Sequence, residues 1–547
     1  MSKVAHYLQE HLDGEVVTSS DSREFFSVDN GILSVTPSIV VYPKNEQDVR
    51  KATRFSWQLA ERGRTIPITP RGLGGNVTGA ALGEGMVLVF PTHLDKVIEL
   101  DGKSGEVVVE PGMNYATLLQ VLRTHGRLLP PYPASYHHST LGGAIATNAS
   151  GQLSTKYGDT RDYVRKLRVV LANGEVIETR RLSKKELNKK LGLGTLEGEI
   201  YRQMDKLIED NLELLQKLEQ EITAPNSSGY ALQNIKRADG SFDLTPLIVG
   251  SEGTLATITE ATLATRPNSS QTTSLVIVRL DEVDTAQAVI NELSSMPDGP
   301  SRVEMVDARA LETIHKQNPS FLKYVAASPF SKITLLVEFD AQSERTRKQQ
   351  LKKFTKFLSK QGIEFDEHKD EESQVNAWKL RTSVSELLGS NQGDAKALPV
   401  LDDGAVAPGK FGELLSGIYE LFASHQMPVA VWGSALSCRL QARPIINIGQ
   451  IGDRQKLFKI LSEYYELITK LGGTIAGSNG DGRIAAPFLE ATCPPDVYNL
   501  FVQTKQIFDP YNIMNPGVKL GTTVEDLKKM AVTRYNTGHM HNFLPHN

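Results

Sequence analysis

Three glycine-bearing turns, far apart in the chain and each beside an apolar run, constrain the fold of this sequence most: Pro70–Gly79 (PRGLGGNVTG), Thr140–Gly151 (TLGGAIATNASG) and Leu247–Ala261 (LIVGSEGTLATITEA). Glycine permits left-handed turns and bare main chain, so consecutive amides can receive phosphate oxygens. In the first turn, glycines at 72, 74, 75 and 79 follow the short apolar stretch Ile66–Thr69. Their spacing misses Gly-x-Gly-x-x-Gly and no long helix follows, which argues against a Rossmann dinucleotide site. Together the three turns describe the walls of one nucleotide site.

At 547 residues the chain exceeds a single hydrophobic core, so two or more domains are expected. A formal net charge of −4 offers no basic surface for nucleic acid. Two cysteines, Cys438 and Cys493, cannot build a disulfide framework or a four-thiolate cluster, which predicts a reducing, cytoplasmic setting without an iron–sulfur centre. No run approaches the roughly 20 apolar residues that span a bilayer, and charges interrupt the apolar positions of the N-terminus, unlike a signal peptide. The chain is expected not to span a membrane.

Patterning along the chain predicts an α+β protein. Ser38–Pro43 reads as a buried strand, Asn45–Ala60 as a capped amphipathic helix, and Ile66–Thr69 as a strand feeding the first glycine turn. Short strands follow at 85–90, 97–100 and 106–110, then a helix at 115–125 and a hairpin of 166–171 with 176–179. Residues 184–222 read as solvent-facing helices. After Thr265–Ser270 a second unit alternates strands (273–280, 333–339, 427–432) with helices, the pattern of an antiparallel sheet with helices on one face.

These segments resemble the flavin-binding domain of vanillyl-alcohol-oxidase-type (PCMH-type) flavoproteins, in particular the branch of D-lactate dehydrogenases, glycolate oxidase D subunits and D-2-hydroxyglutarate dehydrogenases. Val109–Gly112, Lys156–Val164, Asn226–Tyr230 and Phe508–Gly517 add to the likeness, which runs from about residue 15 to 521. The resemblance implies a two-lobed FAD-binding domain over 1–268, a ferredoxin-like antiparallel cap over 269–475 that covers the substrate, and a segment, 476–547, returning to the first domain. It implies FAD as cofactor. By the same likeness Arg71, Gly72, Leu73, Gly74, Gly75, Asn76 and Gly79 cradle the pyrophosphate. Ser135, Thr140, Gly142, Gly143, Asn148 and Gly151 line pyrophosphate and ring, Glu252, Gly253 and Ile258 hold the adenosine end, and Asn515 sits near the flavin.

The catalytic half departs from the family pattern. Its usual Gly-His-Ala-Gly-Asp-Gly-Asn-Leu-His is here Gly433–Gln441 (GSALSCRLQ), with Ser434 and Gln441 in the places of two metal-binding histidines. The companion Gly-Glu-His-Gly-Ile-Gly is Gly477–Gly482 (GSNGDG), with Ser478 and Asn479 in the places of a metal-binding glutamate and a base histidine. Ser, Gln and Asn neither titrate near neutrality nor make good metal ligands, so no metal is expected. Arg381 aligns with an arginine that meets the substrate carboxylate, and its alternative is a surface arginine. Asp481 reads as a turn residue.

The function this implies is an FAD-dependent oxidoreductase accepting a hydride from a small organic substrate, such as a 2-hydroxy acid, with Arg381 and Asn479 at the catalytic end. An external electron acceptor is required, whether oxygen, a quinone or a redox protein. The alternative is a catalytically altered flavin-binding subunit or paralogue acting through a partner protein.

Overall fold

The structure is a computed structural model that describes residues 3–221, 223–268, 273–389 and 393–535. The linker positions 269–272 and the tail from 536 lie outside the described residues.

In the first unit β1 (Glu15–Val17), β2 (Ile39–Tyr42), β3 (Ile68–Arg71) and β4 (Met86–Val89) form a sheet in the order β1-β2-β4-β3. Both β2 and β3 run parallel to β4, and the helix Glu46–Ala60 makes the crossover between them. The helix starts where Asn45 Oδ1 accepts the Asp48 amide, and its Val49 and Ala52 pack with Ile39, Val41, Ile68 and Met86. The buried Asp48 carboxylate accepts amides of Asp13, Gly14 and Lys44, tying the helix start to both neighbouring chain segments.

A second lobe is antiparallel. Along the chain come β5 (Val97–Asp101), β6 (Glu106–Val109), the two-residue β7 (Arg127–Leu128), β8 (Val164–Val170), β9 (Val176–Thr179), β10 (Thr257–Ala264) and β11 (Arg266–Pro267). The sheet order is β5-β6-β10-β8-β9, with β11 paired to β7. The central strand β10 starts directly after the third glycine turn. Among the helices of 184–221, Leu196–Asp210 is not simply solvent-facing: Ile200, Tyr201, Met204, Leu207 and Ile208 are buried.

The second unit is one seven-stranded antiparallel sheet: β12 (Ser274–Leu280), β13 (Arg302–Asp307), β14 (Ile333–Phe339), β15 (Glu364–His368), β16 (Lys396–Ala397), β17 (Val429–Ser434) and β18 (Arg439–Ile446), in the order β15-β12-β14-β13-β17-β18-β16. Its first four strands stand in the fourth-first-third-second order of a ferredoxin-like unit, with helices Val283–Ser294 and Glu344–Lys360 as crossovers. Contrary to the expectation of helices on one face, both faces are covered. Leu275, Ile277, Val306, Leu336 and Trp432 pack under helix Glu371–Gly389, while Val276, Val278, Met305 and Val337 belong to the core that includes Val289, Ile290, Leu414 and Ile418. Strands bury side chains on alternate faces, and here both sets are apolar.

From residue 476 the chain runs back along the first unit. Arg483 donates its amide to Thr78 O at 2.8 Å, Ile68 donates to Ile513 O at 2.7 Å, and Asn515 donates to Ile68 O at 2.8 Å. No helix among the described residues is long and apolar enough to cross a membrane.

Candidate active site

The three glycine turns meet. A Cβ on Gly72 would run into the Thr140 hydroxyl, and one on Gly253 would lie 2.5 Å from Pro70 Cγ, so each turn is glycine where another segment crosses it. Glu252 donates its amide to Ala146 O at 2.8 Å, stitching the third turn to the second. Arg71, Gly72, Leu73, Gly74, Gly75 and Asn76, then Ser135, Thr140, Gly142, Gly143 and Gly151, then Glu252, Gly253 and Ile258 all line a single cavity of about 1460 Å³. Among the described residues, no protein acceptor receives the amides of Leu73, Gly74, Gly75, Asn76 and Val77.

The opposite wall of that cavity is the cap sheet. Arg302 and Glu304 on β13, Glu338 on β14, Ser434 on β17 and Arg439, Gln441 and Arg443 on β18 line it, with Trp378 and Arg381 from helix Glu371–Gly389 above. The arginines are held by carboxylates: Arg302 forks onto Glu338 at 2.7 and 2.9 Å, Arg443 meets Asp402 at 2.6 Å, Arg439 meets Asp159 at 2.5 Å, and Arg381 Nη2 lies 2.6 Å from Glu304 Oε2. Arg302 also stacks over Trp378 at 4.0 Å, whose indole N–H donates to Glu338. Arg381 is therefore not a surface residue: 7% of it is exposed. Ser478 and Asn479 of the returning segment line the same cavity as Ser434 and Gln441.

Residues 37–180 match the FAD binding domain family and residues 269–518 match the C-terminal domain of FAD linked oxidases. The chain thus carries both the FAD binding domain and the C-terminal domain of FAD linked oxidases. It is 30% identical over 530 residues to D-2-hydroxyglutarate dehydrogenase of Escherichia coli (strain K12), covering 93% of this chain and 50% of the relative. It is 26% identical to glycolate oxidase subunit GlcD of Bacillus subtilis (strain 168), covering 88% of each. The chain spans half the length of the Escherichia, Pantoea and Haemophilus dehydrogenases it matches. Its fold resembles that of substrate-bound p-cresol methylhydroxylase, with a TM-score of 0.69 at 14% identity over 96% of this chain and 97% of that one. A 4-ethylphenol oxidase from Gulosibacter chungangensis gives 0.64 over 96% and 98%.

FAD, the cofactor of this FAD-linked oxidase fold, fits the residues present. Five consecutive amides without a protein acceptor among the described residues are the donor set a diphosphate takes, and the volume exceeds the roughly 300–1,000 Å³ of a single drug-sized ligand. Three residues expected at the cofactor stand behind the wall instead. Gly79 donates its amide to the buried Asp29 carboxylate; Asn148 spends its side chain on Ser227 Oγ and the Arg161 amide; Asn515 donates to Ala80 O and Glu252 O and accepts from Thr69 Oγ1. Polar groups already paired with neighbouring protein groups are not free for the cofactor, which makes these residues braces. The Arg71 guanidinium likewise donates to Phe26 O, Val28 O and Ala81 O, and holds the loop from behind.

Sequence reasoning missed Arg302, Glu304, Glu338, Trp378, Arg439 and Arg443. A signal was present: Arg302/Glu304 and Arg439/Gln441/Arg443 set polar groups at every second position of a strand, which puts them on one face. Asp481 is no mere turn residue. Fully buried, it accepts from Ser228 Oγ, the Gly229 amide and Lys519 Nζ.

Behind Asn479 lies a second buried acid. Asn479 Nδ2 donates to Asp403 Oδ1 at 2.8 Å, and burial, with Asp402 beside it, pushes the Asp403 carboxyl up to about 8. A raised folded-state value means the native protein holds a proton there that the unfolded chain releases from about pH 4 upward, so this contribution to stability falls as pH rises to about 8. Asp403→Asn is expected to flatten that decline, read as the urea midpoint at pH 5 against pH 9; equal slopes in the two proteins would refute it.

Proposed function

We propose that this chain is an FAD-dependent oxidoreductase that takes a hydride from a small organic substrate, with 2-hydroxy acids as the class to test first. The observation that carries this reading is the continuity of one cavity from the glycine turns to the polar face of the cap. FAD supplies the hydride-accepting chemistry when bound, and the protein supplies binding and orientation. The amides of residues 73–77, with Gly72, Ser135, Thr140, Gly142, Gly143 and Gly151, hold the diphosphate and ring end, and Glu252, Gly253 and Ile258 the adenosine end. Arg381 takes the substrate carboxylate: its Nε is buried without a protein partner among the described residues, while Nη2 rests on Glu304. Asn479, with Nδ2 committed to Asp403, offers its Oδ1 to the substrate hydroxyl.

Electrons leave to an external acceptor, either oxygen, a quinone or a redox protein, and the setting proposed is cytoplasmic. The test is anaerobic mixing of the yellow protein with D- and L-2-hydroxy acids, read as loss of flavin absorbance. Arg381→Lys is expected to raise the half-saturating acid concentration roughly 10- to 100-fold, the worth of a charge-assisted hydrogen bond, at unchanged flavin content. An unchanged half-saturation would remove Arg381 from the substrate site.

The four neutral side chains Ser434, Gln441, Ser478 and Asn479, all lining the cavity, favour a second reading, a flavin-binding subunit that works through a partner protein. Silence across the acid panel with the flavin intact selects it.

A further inference from the structure

The cap wall holds one carboxylate whose hydrogen-bonding capacity is not spent. Glu338 uses both oxygens on Ser301, Arg302 and Trp378, and Asp402 uses both on Arg443. Glu304 differs. It is 1% exposed and lines the cavity; Arg381 approaches one oxygen at 2.6 Å and the Ser434 hydroxyl lies across the sheet, but among the described residues neither contact is aligned as a full hydrogen bond. Its register partner across β13 and β17 is Ser434, so the acid stands opposite one of the four neutral side chains. Buried acceptors without donors are rare, and each asks for a ligand or a reaction.

We propose that Glu304 accepts the hydroxyl proton as the substrate is oxidised, a role that rests on the oxidoreductase reading above. A carboxylate within reach of Arg381 brings the neighbouring 2-hydroxyl within reach of Glu304, because the two side chains touch. In the step, the substrate C–H bond breaks and its hydrogen leaves as hydride to the flavin-class oxidant. The O–H bond breaks with its proton passing to a Glu304 oxygen, and the carbon–oxygen single bond becomes a carbonyl. Electrons and protons balance without a histidine or a metal.

The electrostatics suit the task. Burial pushes the Glu304 carboxyl above the usual range, against the pull of Arg381 from the helix above, Arg302 on the same strand and Ser434 across the sheet. Arg302 is itself neutralised by Glu338, and Arg439 by Asp159. A base whose proton affinity is raised toward the working pH takes a proton more effectively than an ordinary carboxylate.

The test compares wild type, Glu304→Gln and Glu304→Asp as flavin-loaded proteins. Glu304→Gln is expected to slow anaerobic flavin reduction by about 10²–10⁴-fold with half-saturation little changed, and to lack the rise of rate with pH expected of wild type. Glu304→Asp, which keeps the charge, is expected to retain that rise at a lower rate and covers the case in which the Gln variant loses its flavin. Independently of turnover, calorimetry of 2-oxo acid binding in two buffers of different ionisation enthalpy is expected to show proton uptake in wild type and none in Glu304→Gln. Near-normal reduction by Glu304→Gln, or a variant that changes half-saturation alone, would overturn the proposal while leaving the oxidoreductase reading intact. A wild-type flavin that no 2-hydroxy acid reduces overturns both, and proton uptake that survives in the variant assigns the proton to another group and overturns this proposal alone.

Discussion

Lys519→Met is expected to destabilise the protein by about 3–5 kcal/mol and to release the flavin, because it strands two buried carboxylates. Lys519 is fully buried, with Nζ 2.8 Å from Asp481 Oδ2 and 3.4 Å from Glu252 Oε2, both carboxylates equally inaccessible to water. Glu252 belongs to the third glycine turn and Asp481 to the returning segment, so one ammonium pins the C-terminal part of the chain to the cofactor wall. Methionine keeps an unbranched apolar stem one atom shorter and removes the charge and its donors. Urea unfolding of the variant measures the loss, and adding Glu252→Gln and Asp481→Asn is expected to recover most of it, since neutral amides do not require a counterion. A single variant as stable as wild type would show that the ammonium carries none of this.

Gly253→Ala is expected to abolish flavin retention, with a loss of about 2–5 kcal/mol. The residue has φ +74, which costs an L side chain roughly 1–2 kcal/mol, and its added methyl would stand 2.5 Å from Pro70 Cγ, an overpacking of about 1–3 kcal/mol. Pro70 opens the first glycine turn, so the strain is relieved by separating two walls of the cavity. Absorbance of the purified variant, with and without added FAD, reads the outcome. Gly102→Ala is the control: a Cβ there meets nothing within 4 Å, and a change within about 0.5 kcal/mol is expected. A fully yellow Gly253→Ala protein would mean that the turn tolerates displacement.

Much of the first unit was legible because its signals are local. Asn45 as a cap, the apolar spacing of the helix it starts, and the Ala172-Asn-Gly174 turn between β8 and β9 each act within a few residues, so no knowledge of distant partners is required. The glycine turns were legible as a set for the same reason. Strand β13 was not. Arg-Val-Glu-Met-Val-Asp carries charges at 302, 304 and 307, three of six positions, which reads as a solvated edge, yet all of it but Arg302 is buried, Arg302 and Glu304 facing the cavity while Val303 and Met305 face the core. Missing that strand concealed Glu304.

The sequence alone determined the turns, the caps, the strand and helix alternation of each unit and the family they compose, because those depend on residues close together and on backbone permissiveness. Only the tertiary structure decided which polar side chains face the cavity and which stand behind it. Asn148 and Asn515 turned out to be braces, Asp481 a counterion for a lysine 38 positions away, and Arg381 the partner of Glu304 rather than a surface charge. A buried polar group is placed by the partner that satisfies it, and chain spacing carries no record of a partner brought close by packing.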